Sequence, residues 1–459
     1  MKKYCLQFIA ILAIQLLNAQ SFTPITKYLR VSDNYRHLID ESGKPFFWLG
    51  DTGWELFHRL TYAEAKKYFS VRSQQGYTVI QAVVLAEFDG LHTPNANGHL
   101  PLENDDPLRP QEPYFLFVDS IIDLAAQYGL YIAVLPTWGD KLFKNTWGSG
   151  PEIFNKENAK SYGRWIANRY KNKKNIVWVT GGDRTPRNAS DVEVWRAMAT
   201  GIVEGSGGQD KALITFHPQP SETSSSSPWF HEDEWLDFNM LQTGHCADEP
   251  VWNKVGKDYN RKIVKPVLNA EAVYEDHPVC FNAKERGYTT AYDSRKAAWL
   301  SVLAGSFGYT YGCHNIWQFY GPGRTAVNGP LRFWYVSLEL PGASQMKYLK
   351  NLMEALPIED RQPDQSVITN AYDSSRRIQA LRGKDYMVVY SAGGETFEVD
   401  LQKIEGKRFR AVWLDPRTGA TFPMLIFSSN TKRTFTPPSK GNYSDWTLII
   451  YNASKKYLK

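Results

Sequence analysis

The sequence predicts an α/β fold: a (β/α)8 TIM barrel followed by a small C-terminal β-sandwich. Eight short apolar runs of strand type, mostly separated by amphipathic stretches, recur through the first three-quarters of the chain. After Pro357 the texture changes to short strand-like runs at about ten-residue spacing, with Gly, Asp, Asn and Pro between them. The 459 residues are 42% hydrophobic and 14% aromatic, which is enough to bury a large core and excludes disordered, collagenous and low-complexity scaffolds.

The elements follow in order. Met1-Lys2-Lys3 is a short positive start, Cys5 to Leu17 is apolar, and Asn18-Ala19-Gln20-Ser21 supplies small residues at a cleavage point. Residues 1–19 therefore read as a secretory signal peptide, and the protein is expected to be periplasmic or secreted. Cys5 lies inside the apolar stretch and not at the cut, which argues against lipid attachment. No later window is apolar for long enough to span a membrane. Losing Lys2 and Lys3 lowers the formal charge from +5 to +3, and no basic run stands out, so no nucleic-acid partner is expected.

Residues 20–357 form the expected barrel with an N-terminal hairpin, Leu29–Val31 and His37–Asp40, closing its lower end. The eight strands are placed at Phe46–Leu49, Val79–Leu85, Tyr131–Leu135, Ile176–Val179, Leu213–Phe216, Phe238–Leu241, Val264–Leu268 and Tyr309–Tyr311. Between them, Thr61-Tyr62-Ala63-Glu64 is a capping box that starts a helix, and Gly76 follows its end. Further helices are read at 113–128, 158–170, 191–203, 294–303 and 343–355. A doubly wound open sheet is the competing architecture, but its phosphate-binding fingerprint is lacking, since Gly321-Pro322-Gly323 has no strand–turn–helix around it. Residues 358–459 are the sandwich, with strands at 367–369, 378–381, 386–390, 396–400, 408–414, 420–422 and 446–451. Cys246, Cys280 and Cys313 lack metal-ligand spacing and allow one disulfide at most.

A barrel of this kind carries its site at the C-terminal ends of the strands. That rule selects Asp51 and Trp54 after strand one, Gln81 in strand two, Trp138 after strand three and Asp183 after strand four. It adds His217 from strand five, Gln242 and His245 from strand six, Glu271 from strand seven, and His314 and Trp317 from strand eight. Carboxyls, amides, imidazoles and indoles on one rim suit a sugar site: hydroxyls need hydrogen-bond partners, ring faces need aromatic platforms, and glycosidic cleavage needs two carboxyl groups. The strongest pair is Asp183, presented by Gly181-Gly182, and Glu271, which ends Asn269-Ala270-Glu271. Strand ends four and seven lie across the mouth of a barrel, so these carboxyls could straddle one bond.

Each residue also has a structural reading. Asp183 could cap a turn, Glu271 could pair with Arg184, Asp51 could cap the next turn, and each Trp could be core. The histidines could be hydrogen-bonded structural groups. His231-Glu232 lacks the second His of a helical zinc motif and no G-x-S-x-G elbow occurs, so no metal, no cofactor and no serine nucleophile are expected.

Trp48-Leu49-Gly50-Asp51-Thr52-Gly53-Trp54, Gly181-Gly182-Asp183-Arg184 and Asn269-Ala270-Glu271 together resemble the apiosidase-like proteins of glycoside hydrolase family 140. The resemblance runs from about Leu29 onward over nearly the whole mature chain. It implies a barrel plus a small β-sandwich often labelled collagen-binding, and removal of apiose-linked side chains from the pectin rhamnogalacturonan II. It also implies Asp183 as general acid/base and Glu271 as nucleophile of a retaining mechanism, acting on an oligo- or polysaccharide. The wider glycosidase clan carries Asn-Glu where this chain has Gly182-Asp183. The acid's arm is one methylene shorter, so backbone or substrate pose must bring it closer. The amide that holds the sugar 2-hydroxyl must come from elsewhere, with Gln81, His217 and Gln242 as candidates. The rival readings are a non-catalytic carbohydrate-binding protein on an inactive barrel and a metal-dependent hydrolase using the rim histidines.

Overall fold

The computed structural model describes residues 22–458 apart from Thr146, Leu425, Ser429 and Asn430, so the expected signal segment lies outside the described residues. Eight parallel strands form one sheet in the spatial order five, four, three, two, one, eight, seven, six. They are Trp48–Thr52, Val79–Leu85, Tyr131–Thr137, Ile176–Gly181, Ile214–His217, Asn239–Gln242, Val267–Glu271 and Gly308–Tyr311. The seam between strands five and six is spanned by the Asp237 N–H on the Ile214 carbonyl (2.9 Å) and by the Thr215 hydroxyl on the Phe238 carbonyl (2.6 Å). The curved sheet is thereby nearly closed into a barrel.

Local chemistry explains the outer ring of helices. Thr61 and Glu64 make both bonds of the capping box and start the helix Tyr62–Gln74. Asn155 caps Lys156–Tyr170, and Asn188 caps Ala189–Ser206, which stops at Gly207 with φ of 93°. Alternate residues of the strands fill the barrel's interior, among them Trp48, Val79, Val83, Ala133, Leu135, Val177, Val179 and Leu268. A polar thread runs through this core. The Trp48 indole donates to Thr310 (3.0 Å), Thr310 donates to Gln81 Oε1 (3.0 Å), and Gln81 Nε2 donates to the Ala270 carbonyl (3.0 Å).

Six of the eight strands run past the C-terminal ends read from the sequence. Strand one starts at Trp48 and continues through Thr52, because Pro45–Phe46 instead joins Leu29–Val31 and Leu38–Asp40 in a three-stranded sheet. After the last barrel helix, Pro341–Ala355, the chain forms a six-stranded antiparallel sheet and a separate pair, Phe397–Asp400 with Lys432–Phe435. The run expected as a strand at 367–369 begins as a 3-10 turn, Gln365–Val367, and Lys432–Phe435 is a strand the apolar pattern did not mark. This C-terminal unit packs on the helix Ala291–Leu303. Arg295 clamps Asp445 with two hydrogen bonds (2.8 and 2.6 Å), and Trp299 stacks on Tyr390 at 5.6 Å.

Candidate active site

A cavity of about 660 Å³ opens at the C-terminal rim of the barrel, and both Asp183 and Glu271 line it. Trp54, Trp138, Gln242, His245 and Trp317 share its wall. A second cavity of about 700 Å³, at the other end between the hairpin and the sandwich, contains neither carboxyl.

Asp183 is delivered by an abrupt turn. Gly181, Gly182 and Asp183 take φ values of 89°, 115° and 53°, three successive residues in the left-handed region. A Cβ on Gly181 would lie 2.4 Å from the His217 carbonyl oxygen, and one on Gly182 would lie 2.9 Å from the Gly139 nitrogen, so glycine is required at both. Asp tolerates the third position better than most side chains. The turn is pinned on both sides: the Gly182 N–H donates to the His217 carbonyl (3.0 Å), and the Gly182 carbonyl accepts from Gly139 (3.0 Å).

The two carboxyls sit in opposite environments. Glu271 Oε1 accepts from the Tyr274 hydroxyl, and His245 Nε2 lies 3.5 Å away. His217 Nε2 is 2.8 Å from Oε2, though without hydrogen-bond alignment, so Oε2 keeps its lone pairs. Burial pushes Glu271 up, but His217 and His245 outweigh it and hold the carboxyl well below its usual range. Asp183 is raised to about 6, first by burial and then by the charge of Glu271. Its Oδ2 accepts from the Trp147 indole (2.9 Å), and its buried Oδ1 has no partner. Arg184 does not reach Glu271: it donates to the carbonyls of Asp183, Phe143 and Trp147 and lies 4.0 Å from the Asp183 carboxylate.

His217 joins the two acids from behind. Its Nδ1 accepts the Asp183 N–H (3.2 Å), which leaves the ring hydrogen on Nε2, facing Glu271. A register shift in the strand pairing between Asn269 and Glu271 re-aims the Glu271 side chain. The Gln81 amide, bonded to the Ala270 carbonyl, fixes the backbone just before it.

Four residues expected to bind substrate do not line the cavity: His217 is fully buried behind the two acids and holds no sugar hydroxyl, and Asp51, Gln81 and His314 are engaged elsewhere. Asp51 lies within strand one and points outward, where Arg72 Nε and the Tyr68 hydroxyl hold it at 2.6 Å each, fully buried. The strand continues through Thr52, three residues past its apolar run, and the two-residue alternation puts Asp51 on the same outward face as Leu49. Gln81 spends both ends of its amide inside the barrel, so it positions strand seven and does not hold a sugar hydroxyl. His314 accepts from the Trp317 indole (3.2 Å) and donates to the Asn328 carbonyl (3.1 Å), which leaves no ring nitrogen for ligand and makes it a prop for Trp317. Glu275 and Asp276, the later acids on the same loop, are held by Tyr311 and by Asn315 with Arg332.

Other wall residues carried weaker signals. Tyr274 is buried three residues past Glu271, and Trp147 comes from the loop after strand three. Phe281 is 62% exposed and held at φ of 62° beside Cys280. Cys280 is bonded to Cys246, the one pair the cysteines allowed, while Cys313 is free and buried. The sulfur pairing could have flagged Phe281, but sequence spacing alone did not select which two cysteines meet. Among the described residues, no three His, Cys, Asp or Glu side chains are grouped to hold a metal ion, and no helix is long and apolar enough to cross a membrane.

Comparison with known proteins accords with this geometry. The family profile "Apiosidase-like, catalytic domain" matches residues 32–360. The chain belongs to the apiosidase-like family. A second profile, "Putative collagen-binding domain of a collagenase", matches residues 362–451 of this apiosidase-like chain. A solved structure titled "Glycoside hydrolase" is 35% identical, with a TM-score of 0.86, and the match covers 94% of this chain and 98% of that one. A glycoside hydrolase family 5 structure from Bacteroides vulgatus is 34% identical (TM-score 0.85; 94% and 95% covered). A family 39 glycoside hydrolase from the gut symbiont Bacteroides cellulosilyticus is 10% identical (TM-score 0.50; 90% and 84% covered) and shows the fold alone. No curated protein sequence matches significantly. The protein is a glycoside hydrolase with a carbohydrate substrate.

Proposed function

We propose that this enzyme is an exported, retaining apiosidase-type hydrolase acting on side chains of pectin such as rhamnogalacturonan II. The observation that carries the mechanism is the opposed state of the two acids on one cavity: Glu271 is held ionised while Asp183 is pushed toward its protonated form. Glu271 Oε2, the oxygen without a hydrogen-bonded partner, attacks the anomeric carbon. As the C–O bond to the leaving group breaks, the Asp183 proton passes to the departing oxygen. The glycosyl–Glu271 ester carries no charge, so the electrostatic push on Asp183 falls away. Asp183 is then the better-poised anion to take a proton from water, whose oxygen attacks the anomeric carbon and restores Glu271. Trp54, Trp138 and Trp317 offer ring faces to the sugar.

The profile match to the apiosidase-like family supports the substrate class. Export is supported by the signal-like start of the sequence and by the Cys246–Cys280 bond, which suits an oxidising compartment. The C-terminal unit serves as a packing partner of the barrel, through Arg295–Asp445 and Trp299–Tyr390.

The deciding experiment incubates the enzyme with pectic oligosaccharides, reads the released sugars by mass, and follows the first-formed anomer by NMR. Release of apiose with retained configuration is expected. Inversion would remove the covalent role of Glu271, and release of some other sugar would remove the apiose assignment. Asp183→Asn and Glu271→Gln should each abolish turnover with little change in thermal unfolding, since proton transfer alone contributes about 10²–10⁴-fold.

A further inference from the structure

A third carboxyl faces the same cavity and has no part in the two-acid mechanism. Glu87 follows strand two, and its backbone is fixed: the buried Lys141 donates to the Ala86 carbonyl (2.8 Å), and the Asp89 N–H donates to the Glu87 carbonyl (2.8 Å). The other carboxyls around it have protein partners. Asp140 holds Lys141, Glu55 holds His58, Asp183 takes the Trp147 indole and Glu271 takes Tyr274. The Glu87 carboxyl makes no hydrogen bond and no ion pair among the described residues. On the same wall Gln242 is 3% exposed, and its Oε1 is buried without a partner. Both residues line the cavity with hydrogen-bonding capacity that no protein group takes up, which a polar ligand there could use.

We propose that Glu87 is a substrate-contacting specificity residue, which with Gln242 grips hydroxyls of the sugar bound beside Asp183 and Glu271 and restricts that place to an uncharged sugar. The inference rests on the glycosidase site described above. Among the described residues no lysine or arginine lines the cavity, so a uronate carboxylate entering there would give up its hydration beside the ionised Glu271 with no ammonium or guanidinium to pair with. Burial raises the Glu87 carboxyl well above its usual range, and Glu55, Asp140, Asp183 and Glu271 add to this. Arg59 and Arg184 are near enough to feel its charge but make no bond to it. In its protonated form Glu87 can donate one hydrogen bond to a hydroxyl and accept another.

The test measures quenching of the cavity tryptophans by pectic oligosaccharides that end in either a neutral sugar or a uronic acid, alongside kcat and KM for whichever are cleaved. Wild type should bind neutral-ended chains at least about tenfold more tightly than uronate-ended ones. Glu87→Gln, which keeps a donor and an acceptor, should stay within about threefold of wild type. Glu87→Ala should lose about tenfold in affinity, the scale of one hydrogen bond to a buried partner. Glu87→Met serves in its place if the alanine variant unfolds. Unchanged binding in both truncations, preference for uronate ends, or no quenching by any oligosaccharide overturns the proposal. Quenching with the expected pattern but no apiose release leaves it standing and removes only the apiosidase assignment.

Discussion

Trp147→Phe isolates the one donor bond on the Asp183 carboxylate. The substitution keeps a ring near Arg184, whose guanidinium lies 5.0 Å from the indole centroid, and deletes the N–H that donates to Oδ2 at 2.9 Å. That bond stabilises the anion, and Oδ1 already lacks a partner, so its loss favours the protonated acid. A hydrogen bond to a charged group contributes about 1.5–3 kcal/mol. Trp147 is 40% exposed, so water replaces part of the bond and about half that value applies. The result is an upward shift of about 0.5–1 pH unit. In the proposed mechanism Asp183 works as an acid while protonated, so activity should fall as pH rises past its pKa of about 6. At pH 7 roughly a tenth of the wild-type molecules hold the proton, against about a quarter to a half of the variant, so kcat/KM at pH 7 should rise about two- to fivefold relative to its own low-pH plateau. The assay is the pH profile of kcat/KM, scaled to that plateau so that any loss of sugar contact with the indole cancels. A basic limb that stays put, or moves down, refutes the acid role of Asp183 or its bond to Trp147.

Three other outcomes follow from contacts on the same rim and beneath it. His217→Ala removes the ring beside Glu271 Oε2, so the acid limb of the profile should move up toward the ordinary carboxylate range, with kcat lower by about 10- to 100-fold; an unmoved acid limb would show that His217 does not hold Glu271 ionised. Asp51→Asn leaves Arg72 buried without its counter-charge and should cost about 3–5 kcal/mol of stability by denaturant unfolding, while kcat per folded molecule is retained; a selective fall in kcat would return Asp51 to the site. Replacing Cys246 and Cys280 with serine opens a link across 34 residues and should cost about 3–4 kcal/mol, with KM rising more than kcat falls because Phe281 and His245 stand beside the bond. Equal KM in the two forms would show that the bond shapes stability alone.

The barrel was legible because its interior is apolar and its helices carry capping chemistry that acts within four residues. Ile176–Val179 and Thr61–Glu64 declare themselves without help from the rest of the chain. The rim was less legible for a definite reason: apolar pattern fades where a strand becomes functional. The apolar run of strand seven ends at Leu268, but the strand continues through Asn269, Ala270 and Glu271, and strand one continues through Asp51. A strand that outlasts its apolar signal also decides which face each late residue uses, so Asp51 went outward to Arg72. His314 and Gln81 were misplaced for a second reason. Their types fit a sugar site, but their partners, Trp317, Asn328, Thr310 and Ala270, meet them only through tertiary contacts that local pattern does not encode.

The departure at strand four shows how the fold compensates for chemistry that looks unfavourable in sequence. An aspartate where relatives of the wider clan carry glutamate reaches less far, so the missing length must come from the main chain. Asp183 is carried on three consecutive left-handed residues, and they persist because Gly139, the His217 carbonyl and the His217 ring each take one of the turn's polar groups. The same ring faces Glu271, so the device that places Asp183 also bears on the charge state of Glu271. This coupling has a direct consequence. Gly182→Ala meets the Gly139 nitrogen at 2.9 Å, and the turn has to shift to make room, moving Asp183 and releasing His217 together. The basic and acid limbs of the pH profile should therefore both move in this single variant, although it alters no titratable group. Movement of one limb alone would mean that the two acids are held independently, and that the shared histidine is a packing neighbour of one of them only.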